Sequence, residues 1–247
     1  MIGSIDIAEI GFLLGDPARA AILAALMDGR AQTAKELAFA AGITAPTASA
    51  HLARLTAANL LEVAAQGRHR YFRIVSPLVA SMVESVMAMA AVQTPPRRRT
   101  PTIRDRALAD ARFCYDHLAG RLGVTLLERL RAAEHVLVEG DGAELTEDGA
   151  RLLGEVGLEI EPLRRSRRIF CRCCLDWSER LPHLGGAVGA ALATHFLEHR
   201  WIERQPTGRA VTLTPIGSAA LNRHFAIDFT PVETSRPASL PRVAVHA

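Results

Sequence analysis

Aromatic residues and lysine are scarce in this chain of 247 residues. Aromatic side chains make up 5% of it, Lys35 is the single lysine among 29 basic residues, and 49% of the residues are apolar. Few rings and many alanines favour helices over extended sheets. The shortage of lysine is typical of a GC-rich genome, so it carries no functional signal of its own.

Other absences narrow the class of protein. No run of about 20 apolar residues exists, so we expect no membrane contact. The first ten residues lack the basic and apolar regions of a signal peptide, so we expect a cytoplasmic protein whose four cysteines are thiols. No nucleophile elbow, phosphate loop or H-E-x-x-H is present, and the glycines at 185, 186 and 189 have the wrong spacing for a dinucleotide fingerprint. We therefore expect neither an enzyme nor a required cofactor.

Residues 33–74 have the pattern of a helix-turn-helix followed by a two-stranded wing. Thr33 and Glu36 form a capping box at the start of one helix. Gly42 can end that helix in a left-handed turn, and Thr44 then caps a second helix. The second helix of such a unit fits the major groove of DNA.

The second predicted helix is polar on its outer face, and the wing is basic. Ala48, Leu52 and Leu55 share the face that we expect to be buried. Residues 44–73 carry a local net charge of +3, which suits phosphates and base edges. The predicted DNA-contacting residues are Thr33, Lys35, Thr44, Pro46, Thr47, Ser49, His51, Arg54, Gln66, Arg68, His69 and Arg70.

These motifs make the chain similar to the ArsR family of winged helix-turn-helix repressors over about residues 5–90. The resemblance is carried by D-P-A-R-A-A-I-L-A-A-L from Asp16, by T-A-P-T-A-S-A-H-L-A-R-L from Thr44 and by a wing that ends in Y-F-R-I. It implies a homodimer that binds a pseudo-palindromic operator in double-stranded DNA and is released by an inducer. It also implies that the first and last helices of the domain form the dimer contact.

The chain departs from the ArsR pattern in two respects. Ala45, Ala50 and Ala53 stand where such proteins often place Gln, Arg or Lys, which shifts recognition towards the wing and the shape of the duplex. The helix at residues 34–41 has no Cys or His, and the helix at 78–90 offers a single carboxylate among Met, Val and Ala. Neither metal site of the resembling family is therefore present.

The predicted domain boundaries follow from where these patterns stop. We predict a winged helix-turn-helix DNA-binding and dimerisation domain over residues 1–92, a Pro/Arg linker over 93–103, an effector domain over 104–229 and a loose tail over 230–247. The predicted fold class is mainly α with short β-hairpins (α+β).

The predicted effector domain contains an internal repeat. The segment R-F-C-Y-D-H-L from Arg112 matches R-C-C-L-D-W-S from Arg172. Each is followed by a glycine-containing helix, a hairpin and T-x-x-G before a last helix. We therefore expect two copies of a helix–helix–hairpin–helix unit, with Cys114 and His117 on one helical face.

Three interpretations of the effector site remain open. The cysteines are structural, with only Cys171 and Cys173 exposed, or nearby arginines lower their pKa values and create a sensor of oxidants, electrophiles or a thiophilic metal. The third is a pocket for an organic ligand between the repeats, lined by histidines and by the rings of Tyr115 and Trp177. The candidate effector residues are Cys114, His117, Cys171, Cys173, Cys174, Trp177 and His183.

The sequence thus predicts a homodimeric transcriptional regulator, a repressor by family resemblance, that leaves its operator when the effector domain senses an inducer. The alternative is an interaction module that uses its winged helix for protein contacts without binding a specific DNA sequence.

Overall fold

Helices joined by short hairpins make up the fold. The computed structural model describes residues 4–93, 103–140, 142–206 and 208–231. The helices in this part are α1 (Ser4–Leu14), α2 (Pro17–Leu26), α3 (Ala34–Ala41), α4 (Ala45–Ala57), α5 (Pro77–Gln93), α6 (Ile103–Asp110), α7 (Gly120–Ala132), α8 (Glu147–Val156), α9 (Ile160–Arg164), α10 (Gly186–Glu198) and α11 (Pro215–Phe225). The strands are β1 (Gln32–Thr33), β2 (Leu61–Gln66), β3 (His69–Ile74), β4 (Arg112–Cys114), β5 (His117–Ala119), β6 (Val136–Glu139), β7 (Gly142–Leu145), β8 (Arg172–Leu175), β9 (Pro182–Gly185), β10 (Ile202–Arg204) and β11 (Val211–Leu213). The predicted α+β fold class is confirmed, and none of these helices has the length and apolarity that a membrane crossing requires.

The helix-turn-helix forms as its capping pattern predicts. The Thr33 hydroxyl accepts from the Glu36 N–H, and the Glu36 carboxylate accepts from the Thr33 N–H, which starts α3. Gly42 adopts φ +66° at the end of α3, and Thr44 accepts from the Thr47 N–H to start α4. Glycine takes this left-handed conformation without a steric penalty, so the sequence itself sets the turn between the two helices.

The wing has one strand more than the sequence predicted. β2 and β3 pair as an antiparallel hairpin with Gly67 at its tip. β1 adds to the free edge of β3 through the pair Gln32 and Phe72, which gives the strand order β1-β3-β2. A strand of two residues leaves no alternation to detect in a sequence.

Two hydrophobic clusters lie in the two halves of the chain. The first joins α1 to α4, the wing and α5, and it includes the predicted α4 residues Leu52 and Leu55. The second is built from residues between Ala111 and Phe229. The predicted linker lies outside the described residues except at its ends, where α5 reaches Gln93 and α6 begins at Ile103. The predicted tail also lies outside them from residue 232 onwards.

Each of the two similar segments in the second half begins with a β-hairpin. A helix was predicted at both places. Arg112 to Cys114 form β4 and Arg172 to Leu175 form β8, so the prediction of helices there is wrong. Segments this short carry no period that separates a helix from a strand. The elements then follow the same order twice, β4-β5-α7-β6-β7-α8 and β8-β9-α10-β10-β11-α11.

The two hairpins pack against each other's helices. α7 lies on β9, and α10 lies on β5. A Cβ atom added at Gly123 of α7 would lie 2.5 Å from the Leu118 carbonyl oxygen, and one at Gly189 of α10 would lie 2.4 Å from the Leu184 carbonyl oxygen. Only glycine lets each helix begin this close to the strand that precedes it. β5 and β9 also contact each other in the middle of the second half.

The winged helix contacts the second half at two places. Beyond the end of α2, the Tyr115 N–H donates to the Met27 carbonyl oxygen at 2.7 Å. On α5, the Ser81 hydroxyl accepts from Arg172 Nη1 at 2.9 Å. The helix that follows the wing is thus bonded directly to β8.

We predict that Gly217→Ala destabilises the protein while Gly154→Ala does not. A Cβ at position 217 would lie 2.0 Å from the Trp201 carbonyl oxygen, and overpacking of this kind costs about 1–3 kcal/mol. Nothing lies within 4 Å of a Cβ at position 154, and alanine there gains about 0.5–1 kcal/mol as a better helix former. Urea unfolding of both variants measures the difference, and a shift of the same sign in both would contradict it.

Candidate functional site

The outer face of α4 is polar and exposed. Thr44, Thr47, Ser49 and Arg54 are all exposed. The two threonine hydroxyls bond to each other at 2.8 Å, and Ser49 Oγ donates to the Ala45 carbonyl oxygen at 2.9 Å. Each hydroxyl keeps a free lone pair after these bonds. The face thus offers short hydrogen-bonding groups and one cation to a partner.

His51 is turned partly towards the protein. It is half-buried, and its Nδ1 lies 3.5 Å from Arg19 Nη1. Arg19 is buried and donates to the carbonyl oxygens of Leu13 and Phe12 at 2.7 Å each. His51 therefore connects α4 to the junction of α1 and α2.

The remaining predicted contacts on the helices lie at helix starts. Lys35 and Pro46 are exposed in the first turns of α3 and α4. Thr33 is half-buried, and its hydroxyl donates to Glu36 Oε2 at 2.7 Å within the capping box.

The tip of the wing carries positive charge that no acidic side chain of the described ranges neutralises. All side chains at residues 66–70 are exposed, and Arg68 Nε lies 3.5 Å from His69 Nε2. Further along β3, Arg73 is neutralised by a salt bridge with Glu62 of β2. The two arginines of the tip therefore supply the net charge that the wing presents.

Two cysteines and two histidines meet where β5 and β9 cross. Cys114 faces His117 across the β4–β5 hairpin, and Cys174 faces His183 across the β8–β9 hairpin. One ligand atom from each of the four side chains lies within 4.8 Å of the other three. All four residues are buried, and the imidazole centroids are 5.1 Å apart. We call these four residues the Cys–His cluster; their donors are those of a four-coordinate Cys2His2 metal site.

The other predicted effector residues lie outside the Cys–His cluster. Cys171 packs in the core of the second half, where burial raises its pKa to about 12. The predicted exposure of Cys171 and the lowering of its pKa by arginines are therefore wrong. Cys173 is half-buried near the Gly142 carbonyl oxygen.

Of the four residues predicted to line a pocket for an organic ligand, the two histidines stack on each other and the two aromatic rings pack against other groups. Tyr115 packs against the N-terminal hydrophobic cluster. Trp177 stacks on the guanidinium of Arg112, 4.4 Å from its ring centroid. The two rings are thus engaged elsewhere, and only the histidines meet.

A carboxylate lies beside Nδ1 of each histidine of the cluster. His117 Nδ1 is 3.2 Å from Asp116 Oδ1, and His183 Nδ1 is 3.4 Å from Asp176 Oδ2. The Nε2 atoms of both rings are buried without a hydrogen-bond partner in the described part of the chain. Sequence reasoning missed both aspartates, although each stands two residues after the matching cysteine of the repeat.

Burial and hydrogen bonds shift the pKa values in the cluster. The hydrogen bond with Cys174, together with burial, raises the pKa of Cys114 well above its usual value. Burial lowers the pKa of His183 well below its usual value. Burial opposes charge on His117 too, but the hydrogen bond with Asp116 and the neighbouring Cys114 outweigh it and raise the pKa of His117 to about 10.

Asp176 is the central charge beneath the cluster. Its Oδ1 accepts from Arg112 Nη2 and its Oδ2 accepts from the Gly120 N–H, both at 2.7 Å. Carboxylate and guanidinium are both fully buried. Burial alone would raise the pKa of Asp176, but the charge of Arg112 and the hydrogen bonds from Arg112 and the Gly120 N–H outweigh it and hold the pKa well below its usual range.

A cleft of about 930 Å³ lies between α5 and β8. Glu84 of α5 is buried at its wall, 6% exposed. Cys174 Sγ donates to Glu84 Oε2 at 3.0 Å, and Arg172 Nη2 lies 3.6 Å from the same oxygen. The Cys–His cluster is thus hydrogen-bonded to the helix that follows the wing.

Comparisons with known proteins agree with this architecture. Residues 14–64 match the family model of a helix-turn-helix domain. The chain is 40% identical over 227 residues to YdfF of Bacillus subtilis, which is described as an uncharacterized HTH-type transcriptional regulator; the match covers 90% of this chain and 98% of YdfF.

Two solved structures each match less than half of the chain. The homodimeric winged helix-turn-helix domain of Mb0332 from Mycobacterium bovis, a possible ArsR-family regulator, is 27% identical and covers 40% of this chain and 99% of its own, with a TM-score of 0.35. HlyU from Vibrio cholerae is 21% identical and covers 35% of this chain and 92% of its own, with a TM-score of 0.33. Both scores are low, so the assignment rests on YdfF and on the fold described above.

The chain belongs to the family of HTH-type transcriptional regulators that includes YdfF. The predicted class, a winged helix-turn-helix transcriptional regulator with an additional C-terminal half, is thereby confirmed.

Asp176→Asn should lower the free energy of unfolding by about 3–5 kcal/mol near neutral pH, because Arg112 stays buried without its counter-charge. The pKa of Asp176 is lowered in the folded protein. Its stabilisation is therefore present above the unfolded-state pKa near 3.9 and is lost as the pH falls below it, so the deficit should shrink in acid.

Glu203→Gln is the matched control, since it breaks an exposed pair whose side chains are 75% and 53% accessible; we expect a change below about 1 kcal/mol. Urea unfolding at several pH values measures both variants. An Asp176→Asn protein as stable as the control would refute the role of the buried pair.

Proposed function

We propose that this regulator is a cytoplasmic homodimeric repressor that binds operator DNA and is released when an effector binds in its second half. The observation that carries DNA binding is the exposed polar face of α4 beside a wing whose two tip arginines have no acidic partner among the described residues. In this proposal α4 enters the major groove and the wing grips the adjacent phosphates.

The chemistry of α4 suggests how sequence is recognised. Its outer face has hydroxyls and Arg54, whereas Ala50 and Ala53 are exposed and offer no hydrogen-bonding group. Few bidentate contacts with bases are available from such a helix. Contacts of the wing and the deformability of the duplex would then supply much of the specificity.

Exposed apolar side chains on α1 and α5 support a dimer. On α1, Ile7 and Phe12 are each 68% exposed, and on α5, Leu78 and Met89 are 80% and 65% exposed. The family resemblance implies that the dimer contact lies on these two helices, and exposed apolar side chains on both suit that role. These are the two helices that we expect to form the contact between protomers.

The proposed release works through α5. This helix carries part of the proposed dimer surface and is also bonded to the Cys–His cluster through Glu84. An effector that alters the Glu84 contact would move α5, and hence change the spacing of the two wings on DNA.

Replacing Arg68 and Arg70 together with Ala should weaken operator binding and reduce the slope of log affinity against log salt by about 2, because two phosphate contacts are lost. The measurement is fluorescence anisotropy with upstream DNA of the protein's own gene at several salt concentrations. The control, Arg151→Ala with Arg200→Ala, removes the same charge from exposed pairs of the second half and should behave as the unchanged protein.

Equal binding by wing variant and control would overturn the role of the wing. A protein that shows no salt-dependent retention by any duplex would instead favour the alternative, an interaction module for protein partners.

Replacing Ile7 and Met89 together with Glu should produce monomers, because charge at a buried apolar interface is costly. Sedimentation equilibrium measures the mass. The matched control is Ile216→Glu, an equally exposed apolar residue on α11 (61%), which should leave the dimer intact. A double variant with the mass of a dimer would exclude these helices as the interface.

A further inference from the structure

We propose that the Cys–His cluster binds one divalent cation of the Zn²⁺ class in tetrahedral geometry, and that occupancy of this site weakens the contact between β8 and α5. The ligands are Cys114, His117, Cys174 and His183. The first part stands on the geometry of the cluster alone, and the second rests on the proposed function.

The four donor atoms would reach the separations of a tetrahedral site after the cluster contracts slightly. With Zn–S near 2.3 Å and Zn–N near 2.0 Å, the donors of a tetrahedral site are about 3.3–3.8 Å apart. The largest separation in the cluster is 4.8 Å. The donors lie on two short hairpins, whose ends need to move by about 1 Å at most.

The ring nitrogens without a hydrogen-bond partner point to a missing ligand. The Nε2 atoms of His117 and His183 are buried without a hydrogen-bond partner among the described residues, an arrangement that normally costs free energy. Asp116 is hydrogen-bonded to Nδ1 of His117, and Asp176 Oδ2 lies 3.4 Å from Nδ1 of His183, which makes no hydrogen bond among the described residues. A metal-bound histidine uses this pattern, in which one nitrogen faces a carboxylate and the other binds the ion.

Charge also favours the ion in this buried place. Two thiolates balance a divalent cation, and two neutral imidazoles add no charge, so the occupied site has no net charge of its own. The two aspartates are themselves paired with Arg168 and Arg112 at 2.7 Å. Sulfur and nitrogen donors select Zn²⁺ and similar ions over Mg²⁺ and Ca²⁺.

Binding of the ion alters the bond to α5 directly. In the structure, the Cys174 thiol donates its proton to Glu84 Oε2. Coordination releases that proton to solvent, so the sulfur can no longer donate and instead faces the carboxylate as a thiolate. Arg172, 3.6 Å away, then remains as the partner of Glu84 in this contact. The ion and the Cys174–Glu84 hydrogen bond therefore exclude each other.

The test uses the full-length protein, fully reduced and stripped of metal by a chelator, with Zn²⁺ or Co²⁺ alone as the probe. We expect one ion per chain, with Co²⁺ showing the absorption of tetrahedral coordination and of thiolate-to-cobalt charge transfer. Cys114→Ser with Cys174→Ser should abolish both signals. Cys173→Ser, a cysteine outside the cluster, is the matched control and should retain them.

Two further measurements test the metal site even if the double cysteine variant folds poorly. Asp116→Asn leaves all four ligands in place and should weaken Zn²⁺ binding by about 10- to 100-fold, as loss of an outer-shell carboxylate does. Reduced wild-type protein that retains no ion, or whose Co²⁺ complex lacks thiolate charge transfer, overturns the site. None of these measurements uses DNA, so they do not depend on the proposed function.

The second part is tested by adding Zn²⁺ to the complex with operator DNA. We expect Zn²⁺ to lower the affinity of the wild type for DNA. Glu84→Gln should still bind one ion yet show a smaller change in affinity, because the carboxylate that opposes the thiolate is gone. A full response in Glu84→Gln, or no response in the wild type, overturns the coupling and leaves the metal site standing.

Discussion

The crossing of β5 and β9 is the contact on which the second half depends. Each hairpin brings one cysteine opposite one histidine, and neither hairpin alone holds more than half of the Cys–His cluster. Because Gly123 and Gly189 have no side chain, each helix can lie close to the strands. A Cβ added at Gly123 would lie 3.5 Å from the Cβ of His183, and one added at Gly189 would lie 3.3 Å from the Cβ of His117. Close packing thus creates the cluster.

Buried charged side chains beside this crossing connect the two hairpins, α7 and α5. Asp176 reaches from the β8–β9 hairpin to Arg112 of β4 and to the start of α7 at Gly120. Glu84 extends the same polar region to α5. Polar contacts inside a protein are demanding in geometry, so a change in the cluster is transmitted to α5 more readily than it would be through apolar packing.

Local signals in the sequence were enough to predict the DNA-binding half. Thr33, Gly42 and Thr44 act through contacts within a few residues, and the structure has the helices and turn that they predict. β4 and β8 were mistaken for helices because three or four residues carry no period. The partnership of Cys114 with Cys174 depends on residues 60 positions apart in the chain; matching the repeats identified the pair, whereas the anchoring by Asp176 and Glu84 required the fold.

The contact at the end of α2 limits which winged helices could be joined to this second half. Gly29 has φ +73°, and a Cβ there would lie 2.5 Å from the Tyr115 carbonyl oxygen. The loop of the first Cys–His hairpin therefore rests on a glycine of the DNA-binding half. A chimera that joins this second half to the winged helix of another regulator would need a glycine at the corresponding place to keep this contact.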